Sequence, residues 1–279
     1  MCAFGTLTDV MSGCIVNQTC RCFEQSCRES PVAGHIQGDT PWGKTGGVTI
    51  EEEGRPSGRS SSFPMLYRHY MDVTITKLVH ACLLVETNGK RILLDPGGFT
   101  WDDDRFDPSM VEGVDRILIT HEHADHVSFD FVRAALERSN GAEVETTPSL
   151  QAILAEDGID SVTTGTPQFV SPHERIPLGP GPQNTGFHVE YVLSHPGDSH
   201  SFNETMPILA MPFAAPRGSL TAGADRARLV KPKYVVPIHD WFLSPGGRTF
   251  MYRLAEMALA ADGIELVVIE DFTSTTINV

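Results

Sequence analysis

The segment THEHADH, Thr120–His126, places three histidines, a glutamate and an aspartate within seven consecutive residues. Neutral imidazole and carboxylate groups are suitable ligands for Zn²⁺, and also for Mn²⁺ and Fe²⁺. In a tight loop, His121 and His123 can converge on one cation while Asp125 and His126 turn toward a second. A solvated turn rarely uses three histidines, because histidine is an uncommon residue. The pattern therefore favours a metal site.

Strands are predicted to lead into these residues. DRILIT (Asp115–Thr120) is a short β-rich run that ends directly at the histidine segment, and KYVVPIH (Lys233–His239) is a second buried run that ends in a histidine. A rigid strand followed by an open loop is a common way to position reactive groups. We therefore expect a site assembled at strand ends.

The chain from Asp72 onward predicts an α/β fold. Its first strand candidates are VTITKL (Val73–Leu78), CLLVET (Cys82–Thr87) and RILLDP (Arg91–Pro96), and Asn88-Gly89 between the last two is typical of a hairpin turn. Ile264–Glu270 is a further strand candidate. Hairpin strands followed by strands alternating with helices predict a layered sandwich of sheets and helices. The helix candidates are Phe129–Arg138, Ser149–Ala155, Leu220–Val230 and Arg248–Ala261.

Residues 1–70 differ in composition from the rest. They are rich in Gly, Ser, Pro and Cys, show no sustained helical or strand period, and contain five of the six cysteines. Their cysteine spacing matches no pattern of paired zinc knuckles. We predict a low-complexity, disordered or loosely attached extension over residues 1–70, with Met71 as the natural start of a folded domain over residues 71–279.

Net charge and hydropathy limit the kinds of partner that this chain is expected to bind. The net charge is −15, from 21 basic and 36 acidic residues, so the chain lacks the positive field that attracts nucleic acid. It has neither a long apolar run that would span a membrane nor a secretory signal pattern. We expect a cytoplasmic protein with a small-molecule substrate and no nucleic-acid or membrane partner. The sequence does not predict an oligomeric state.

Five segments together resemble the metallo-β-lactamase fold hydrolases. They are LLDPG (Leu93–Gly97), THEHADH, SPHE (Ser171–Glu174), HPGDS (His195–Ser199) and VPIHD (Val236–Asp240). The stretches KLVHACLLVET and PIHDW are similar to the branch that contains the ascorbate-phosphate lactonase. The resemblance covers Asp72 to the C-terminus. It implies a four-layer αβ/βα sandwich with the site at one edge, between the sheets.

The resemblance also implies a set of ligands for two cations. The set is His121, His123 and His173 for one ion, Asp125, His126 and His239 for the other, and Asp198 shared between both. Asp95 is expected to orient the ligands by contacting them rather than by binding a cation itself. His195 and His188 are alternatives to His173 in the third motif, although a structural hydrogen bond for His195 and a core position for His188 are the simpler interpretations. His80, at a junction between strands, is expected to support the loops around the site.

Two divalent cations, most simply Zn²⁺ with Mn²⁺ or Fe²⁺ as alternatives, can hold a bridging hydroxide that attacks a carbonyl carbon or phosphorus. Asp125 is the candidate for proton transfer to the leaving oxygen, and His200 is the second catalytic candidate because it follows the bridging motif. We expect a hydrolase of a small ester, lactone or phosphorylated metabolite. The alternatives are a phosphodiesterase or nuclease of the same fold, and a di-metal redox or binding protein.

Overall fold

The computed structural model describes residues 71–279 apart from residues 178, 215 and 217, so the predicted extension over residues 1–70 lies outside the described residues. Two six-stranded sheets form the framework. The first contains β1 (Asp72–Lys77), β2 (Leu83–Thr87), β3 (Lys90–Leu94), β4 (Arg116–Leu118), β5 (Glu143–Glu145) and β12 (Thr273–Asn278). The second contains β6 (Gln168–Val170), β7 (Thr185–Val189), β8 (Leu193–His195), β9 (Ile208–Pro212), β10 (Tyr234–Ile238) and β11 (Glu265–Leu266).

Strand order in the first sheet is β12-β1-β2-β3-β4-β5. β1, β2 and β3 form an antiparallel meander, and the turn between β2 and β3 is the predicted hairpin. Asn88 and Gly89 have φ angles of 52° and 71° there, a left-handed conformation that these two residue types adopt at low cost. β3, β4 and β5 then run parallel.

Strand order in the second sheet is β11-β10-β9-β8-β7-β6, and β8, β9, β10 and β11 are parallel neighbours. The carboxyl ends of parallel strands meet at one edge of a sheet, which is where ligands bind in α/β folds. β3 and β4 of the first sheet deliver Asp95 and His121 to such an edge. β8 and β10 of the second sheet deliver Asp198 and His239.

Three apolar clusters define four layers. One lies between the sheets and joins residues such as Ile75 and Leu94 to Phe187 and Ile238. The other two lie on the outer faces of the sheets, against the helices. Because both faces of each sheet are buried, strands such as Ile208–Pro212 are apolar throughout rather than alternating. The architecture is the four-layer αβ/βα sandwich that the resemblance implied.

Within the described part of the chain, five α-helices cover the sheets: α1 (Gly98–Trp101), α2 (Phe129–Glu137), α3 (Pro148–Glu156), α4 (Leu220–Val230) and α5 (Pro245–Ala260). A Ser or Thr side chain caps each of the last four by accepting a backbone N–H of the first turn. α5 begins at Pro245, ahead of the predicted Arg248, because Ser244 supplies the cap and proline suits the first helical position. None of the described helices is both long and apolar enough to cross a membrane.

Candidate metal centre

The THEHADH segment is a tight loop between β4 and α2. The backbone N–H of His126 donates to the carbonyl of His123 at 2.8 Å, which turns the loop back on itself. The loop packs directly on Gly97, where an added Cβ would lie 1.9 Å from the carbonyl oxygen of Asp125. Only glycine permits this approach. The LLDPG motif therefore shapes the histidine loop as well as ending β3.

The first group of ligand-type side chains contains His121, His123, His173 and Asp198, and its ligand atoms all lie within 4.8 Å of one another. His123 presents Nδ1, which lies 3.0 Å from His121 Nε2 and 3.2 Å from His173 Nε2. His121 is fully buried and Asp198 almost so. Nitrogen atoms at these separations, facing a carboxylate, can surround a single cation.

The second group contains Asp125, His126, His239 and His80, again within 4.8 Å of one another. Oδ2 of Asp125 lies 3.9 Å from His126 Nε2 and 3.7 Å from His239 Nε2. His239 has a φ of 66° directly after β10. That left-handed residue ends the strand, and non-glycine residues in this conformation are concentrated at functional sites.

Asp198 connects the two groups. Its Oδ1 lies 3.1 Å from Nε2 of both His126 and His239. Its Oδ2 lies 3.3 Å from His173 Nε2 and 3.6 Å from His121 Nε2. One carboxylate thus directs one oxygen at each group, which is the arrangement that a carboxylate shared by two cations needs.

Asp95 forms hydrogen bonds with both Thr120 and His126, the first and last residues of the THEHADH segment. Its Oδ1 accepts the Thr120 backbone N–H at 2.8 Å, and its Oδ2 accepts the Thr120 hydroxyl at 2.9 Å and His126 Nδ1–H at 2.7 Å. Carboxylates that accept the outward N–H of a metal-binding histidine fix its tautomer and its ring orientation. The structure therefore places Asp95 where the resemblance implied.

The other imidazoles that present Nε2 to the groups also have a partner at Nδ1. His121 Nδ1 lies 2.9 Å from the Thr120 hydroxyl, His239 Nδ1 lies 3.3 Å from the Ala214 carbonyl, and His173 Nδ1 contacts the Glu174 carbonyl. A carbonyl can only accept, so the Nδ1 atoms of His173 and His239 carry a proton, and in the neutral ring their Nε2 atoms keep a lone pair. An imidazole in that state is ready to bind a metal.

Three further histidines considered from the sequence lie outside both groups. His195 directs Nε2 at the Ala81 carbonyl, 3.1 Å away, and accepts Gly197 N–H at Nδ1. His188 bonds the Ser194 hydroxyl through Nδ1 and stacks on Phe169. His200 directs Nε2 at the Pro212 carbonyl, 2.7 Å away. The sequence offered His173, His195 and His188 for the third motif. Among the described residues, only His173 of these three joins a ligand group.

Burial works against charge at His126 and His239, but the facing Asp198 overcomes it and raises the pKa of both imidazoles. At the other buried imidazoles of the site, burial prevails. It lowers the pKa of His80 to about 4 and the pKa of His121 well below its usual value. Burial also disfavours ionisation of Asp198, but the facing His126 holds the pKa of that carboxyl well below its usual range. An ionised Asp198 therefore attracts positive charge to the middle of the site, which a cation supplies as well as a protonated imidazole does.

Sequence reasoning did not identify the aromatic side chains around the second group. Phe99 and Trp241 stack with ring centroids 4.2 Å apart, and Phe242 lies 5.6 Å from the ring of His80. Trp241 and Phe242 are 45% and 48% exposed. The available signal was the aromatic pair Trp241-Phe242, which follows the strand-end His239 after one intervening residue, Asp240.

Comparison with known proteins agrees with this geometry. A family model described as the beta-lactamase superfamily domain matches residues 74–239. Protein Rv0786c of Mycobacterium tuberculosis is 32% identical over 199 residues, which are 66% of this chain and 92% of that protein. The UPF0173 metal-dependent hydrolase RL2074 of Rhizobium johnstonii is 36% identical over 96 residues, which are 33% of this chain and 38% of that protein.

Among solved structures, Igni18, a metallo hydrolase from Ignicoccus hospitalis, aligns with a TM-score of 0.58 at 18% identity, covering 74% of this chain and 98% of that one. At that identity the likeness concerns the fold. The chain belongs to the beta-lactamase superfamily, as a metal-dependent hydrolase of the metallo-β-lactamase fold. The family expected from the five motifs is thereby confirmed.

Proposed function

We propose that this protein uses two divalent cations, zinc in the first place, to hydrolyse a small ester or lactone. The observation that carries the proposal is the position of Asp198, whose two oxygens face His126 and His239 on one side and His121 and His173 on the other. A carboxylate between two sets of imidazoles is suited to a pair of ions rather than to one.

The donor set fits zinc. It consists of imidazole nitrogens and carboxylate oxygens, which are the usual zinc ligands outside cysteine sites. The buried Nε2 atoms of His80, His126 and His239 have no hydrogen-bond partner among the described residues, and an unsatisfied buried polar atom is costly unless something binds it. A bound pair of cations would lower the pKa of water toward neutrality and stabilise the oxyanion that develops on the substrate.

Asp125 is our candidate for moving the proton to the leaving oxygen. It lines a cavity of about 300 Å³, together with His123, Phe99 and Phe242. A carboxylate in that position reaches both the ligand groups and a substrate that enters the cavity. His200 is a weaker candidate, because its Nε2 is occupied by the Pro212 carbonyl.

The walls of that cavity support a substrate with an apolar part. Phe99 and Phe242 line the cavity together with Asp125, and Trp241, which is not in that lining, stacks on Phe99; we call these three rings the aromatic cleft. Aromatic side chains gain most of their contact energy from apolar surface. An acyl chain or a lactone ring that lies against them would place its carbonyl next to the ligand groups.

One observation favours a phosphate ester as the second candidate. A cavity of about 570 Å³ on the other side of the site is lined by His173, Arg175, Gln183 and Asn184. Arg175 supplies a guanidinium that can pair with a phosphate. The two cavities therefore lead to different substrates, the apolar ester on the Asp125 side and the anionic ester on the His173 side.

The test is a substrate panel on full-length protein reconstituted with Zn²⁺ or Mn²⁺. We expect aryl esters and lactones to be turned over faster than phosphodiesters, and Asp198→Ala to abolish that turnover. Faster phosphodiester turnover, lost in Arg175→Ala, would favour the second candidate. A metal-loaded protein that hydrolyses none of these substrates would contradict the proposed activity.

A further inference from the structure

His80 lies in the turn between β1 and β2, a position that brings it into the second ligand group. It is fully buried, has a φ of 65°, and its Nε2 lies 3.4 Å from Asp125 Oδ2. Its ring centroid is 4.0 Å from that of His239. Judged by proximity alone, His80 would be a further ligand of the second cation. Whether it can bind a cation depends on which of its two ring nitrogens carries the proton.

The proton of a neutral imidazole is located by the partner of the other ring nitrogen. Nδ1 of His126 faces the Asp95 carboxylate, and Nδ1 of His239 faces the Ala214 carbonyl. Carboxylates and carbonyls accept hydrogen bonds, so these two rings carry the proton on Nδ1. In the neutral form of these rings, which metal binding requires, the Nε2 atoms that face the second group therefore carry the lone pair.

His80 has the opposite arrangement. Its Nδ1 lies 3.3 Å from the backbone nitrogen of Trp241, and a backbone N–H can only donate. Nδ1 of His80 is thus the acceptor, and the ring carries its proton on Nε2. A protonated nitrogen cannot bind a cation, but it can donate to a carboxylate. The carboxylate oxygen that it faces is Asp125 Oδ2 at 3.4 Å, a contact that the structure does not close into a hydrogen bond.

We propose that His80 is not a ligand but a positioning residue, whose Nε2–H donates to Asp125 Oδ2 and holds that carboxylate against the second ligand group. The surroundings support a directed hydrogen bond, because the rings of Phe99 and Phe242 lie 5.2 and 5.6 Å from His80 and limit the access of water. The effect on turnover rests on the proposed function, whereas the tautomer does not.

The tautomer can be read by ring nitrogen NMR on full-length protein labelled with ¹⁵N-histidine, with His80→Gln used to assign the His80 signals. We expect the Nε2 signal of His80 to be that of a protonated nitrogen before and after Zn²⁺ is added, while the Nε2 signals of His126 and His239 shift on zinc addition. A His80 Nε2 without a proton, or one that shifts as a zinc-bound nitrogen does, would overturn the proposal.

A variant pair separates positioning from ligation by measurements of zinc content and kinetics. His80→Gln keeps an N–H donor near the position of Nε2. His80→Leu has a side chain of similar size without any donor. We expect both variants to retain the zinc content of the wild type, and kcat of His80→Leu to fall about 10- to 100-fold, as for loss of a hydrogen bond to a charged group. His80→Gln should recover much of that loss. A zinc content that falls in both variants would show ligation instead.

Discussion

Asp95 Oδ2 lies 2.7 Å from His126 Nδ1, so the end of β3 is tied to the histidine loop that follows β4. The same carboxylate accepts two hydrogen bonds from Thr120. One side chain therefore sets the orientation of an imidazole and the path of the backbone beside it. None of these three hydrogen bonds reaches the proposed cations, yet all three act on the orientation of the ligands.

Replacing Asp95 by Asn should weaken zinc binding by about 10- to 100-fold, which is the usual effect of removing the hydrogen-bond partner of a metal-binding histidine. The neutral amide no longer favours the Nδ1–H tautomer of His126 as the carboxylate does. Competition with a chromophoric chelator measures the affinity. Asp115→Asn is the control, because Asp115 binds the backbone N–H of Arg91 instead of a site histidine. Equal zinc affinity in wild type and Asp95→Asn would contradict the role assigned to Asp95.

His173→Ala and His195→Ala should separate ligation from support. The first variant should lose bound zinc, because His173 Nε2 faces Asp198 within the first ligand group. The second should keep its zinc but lose about 1–3 kcal/mol of unfolding free energy, since the buried Ala81 carbonyl is left without its donor. Metal analysis and denaturant unfolding provide the two readouts. Loss of zinc from His195→Ala alone would reverse the assignment of the third motif.

Phe242→Ala, which removes a ring that lines the Asp125 cavity, should reduce the preference for longer acyl chains. In the wild type we expect kcat/KM for a series of aryl esters to rise by up to about fourfold per added methylene, the value for full burial of a CH₂ group. The variant should show a flatter dependence. Tyr191→Ala is the control. Tyr191 is 69% exposed in the turn between β7 and β8, whereas Asp198 follows the opposite end of β8. A chain-length dependence that is unchanged in Phe242→Ala would exclude the aromatic cleft as the acyl subsite.

Lys77→Met should destabilise the fold far more than Lys90→Met. Lys77 Nζ lies 2.5 Å from Asp240 Oδ2, and both side chains are buried. Removing the Lys77 ammonium leaves the buried Asp240 carboxylate with less positive charge around it, which costs about 3–5 kcal/mol of unfolding free energy. Lys90 forms a 3.3 Å pair with Asp115 at the surface, worth about 0–1 kcal/mol. Denaturant unfolding of the two variants gives the comparison, and similar losses in both would show that the buried pair has no special role.

The sequence predicted the elements that carry a clear local signal. Leu220–Val230 is a helix over the predicted bounds, and the hairpin at Asn88-Gly89 follows from its turn residues. β9 was not predicted, because a run buried on both faces has no alternation to reveal it. β12 is mostly exposed and polar and is held by its pairing with β1. That pairing joins residues far apart in the chain, so it leaves no local signal.

The structure brings together all seven residues that the resemblance assigned as ligands: His121, His123, Asp125, His126, His173, Asp198 and His239. The position of His80 in the second group was not predicted. It depends on a left-handed turn residue and on a hydrogen bond from Trp241, which is 161 residues away in the chain. Contacts of this kind arise only when the two sheets pack together.

The measurement that tests the central claim most directly is elemental analysis of purified, folded full-length protein beside its Asp198→Ala variant. We predict about two equivalents of zinc or another divalent transition metal per chain in the first sample, and clearly less in the second. A folded wild-type protein that takes up no transition metal, even after incubation with Zn²⁺ and Mn²⁺, would contradict the account.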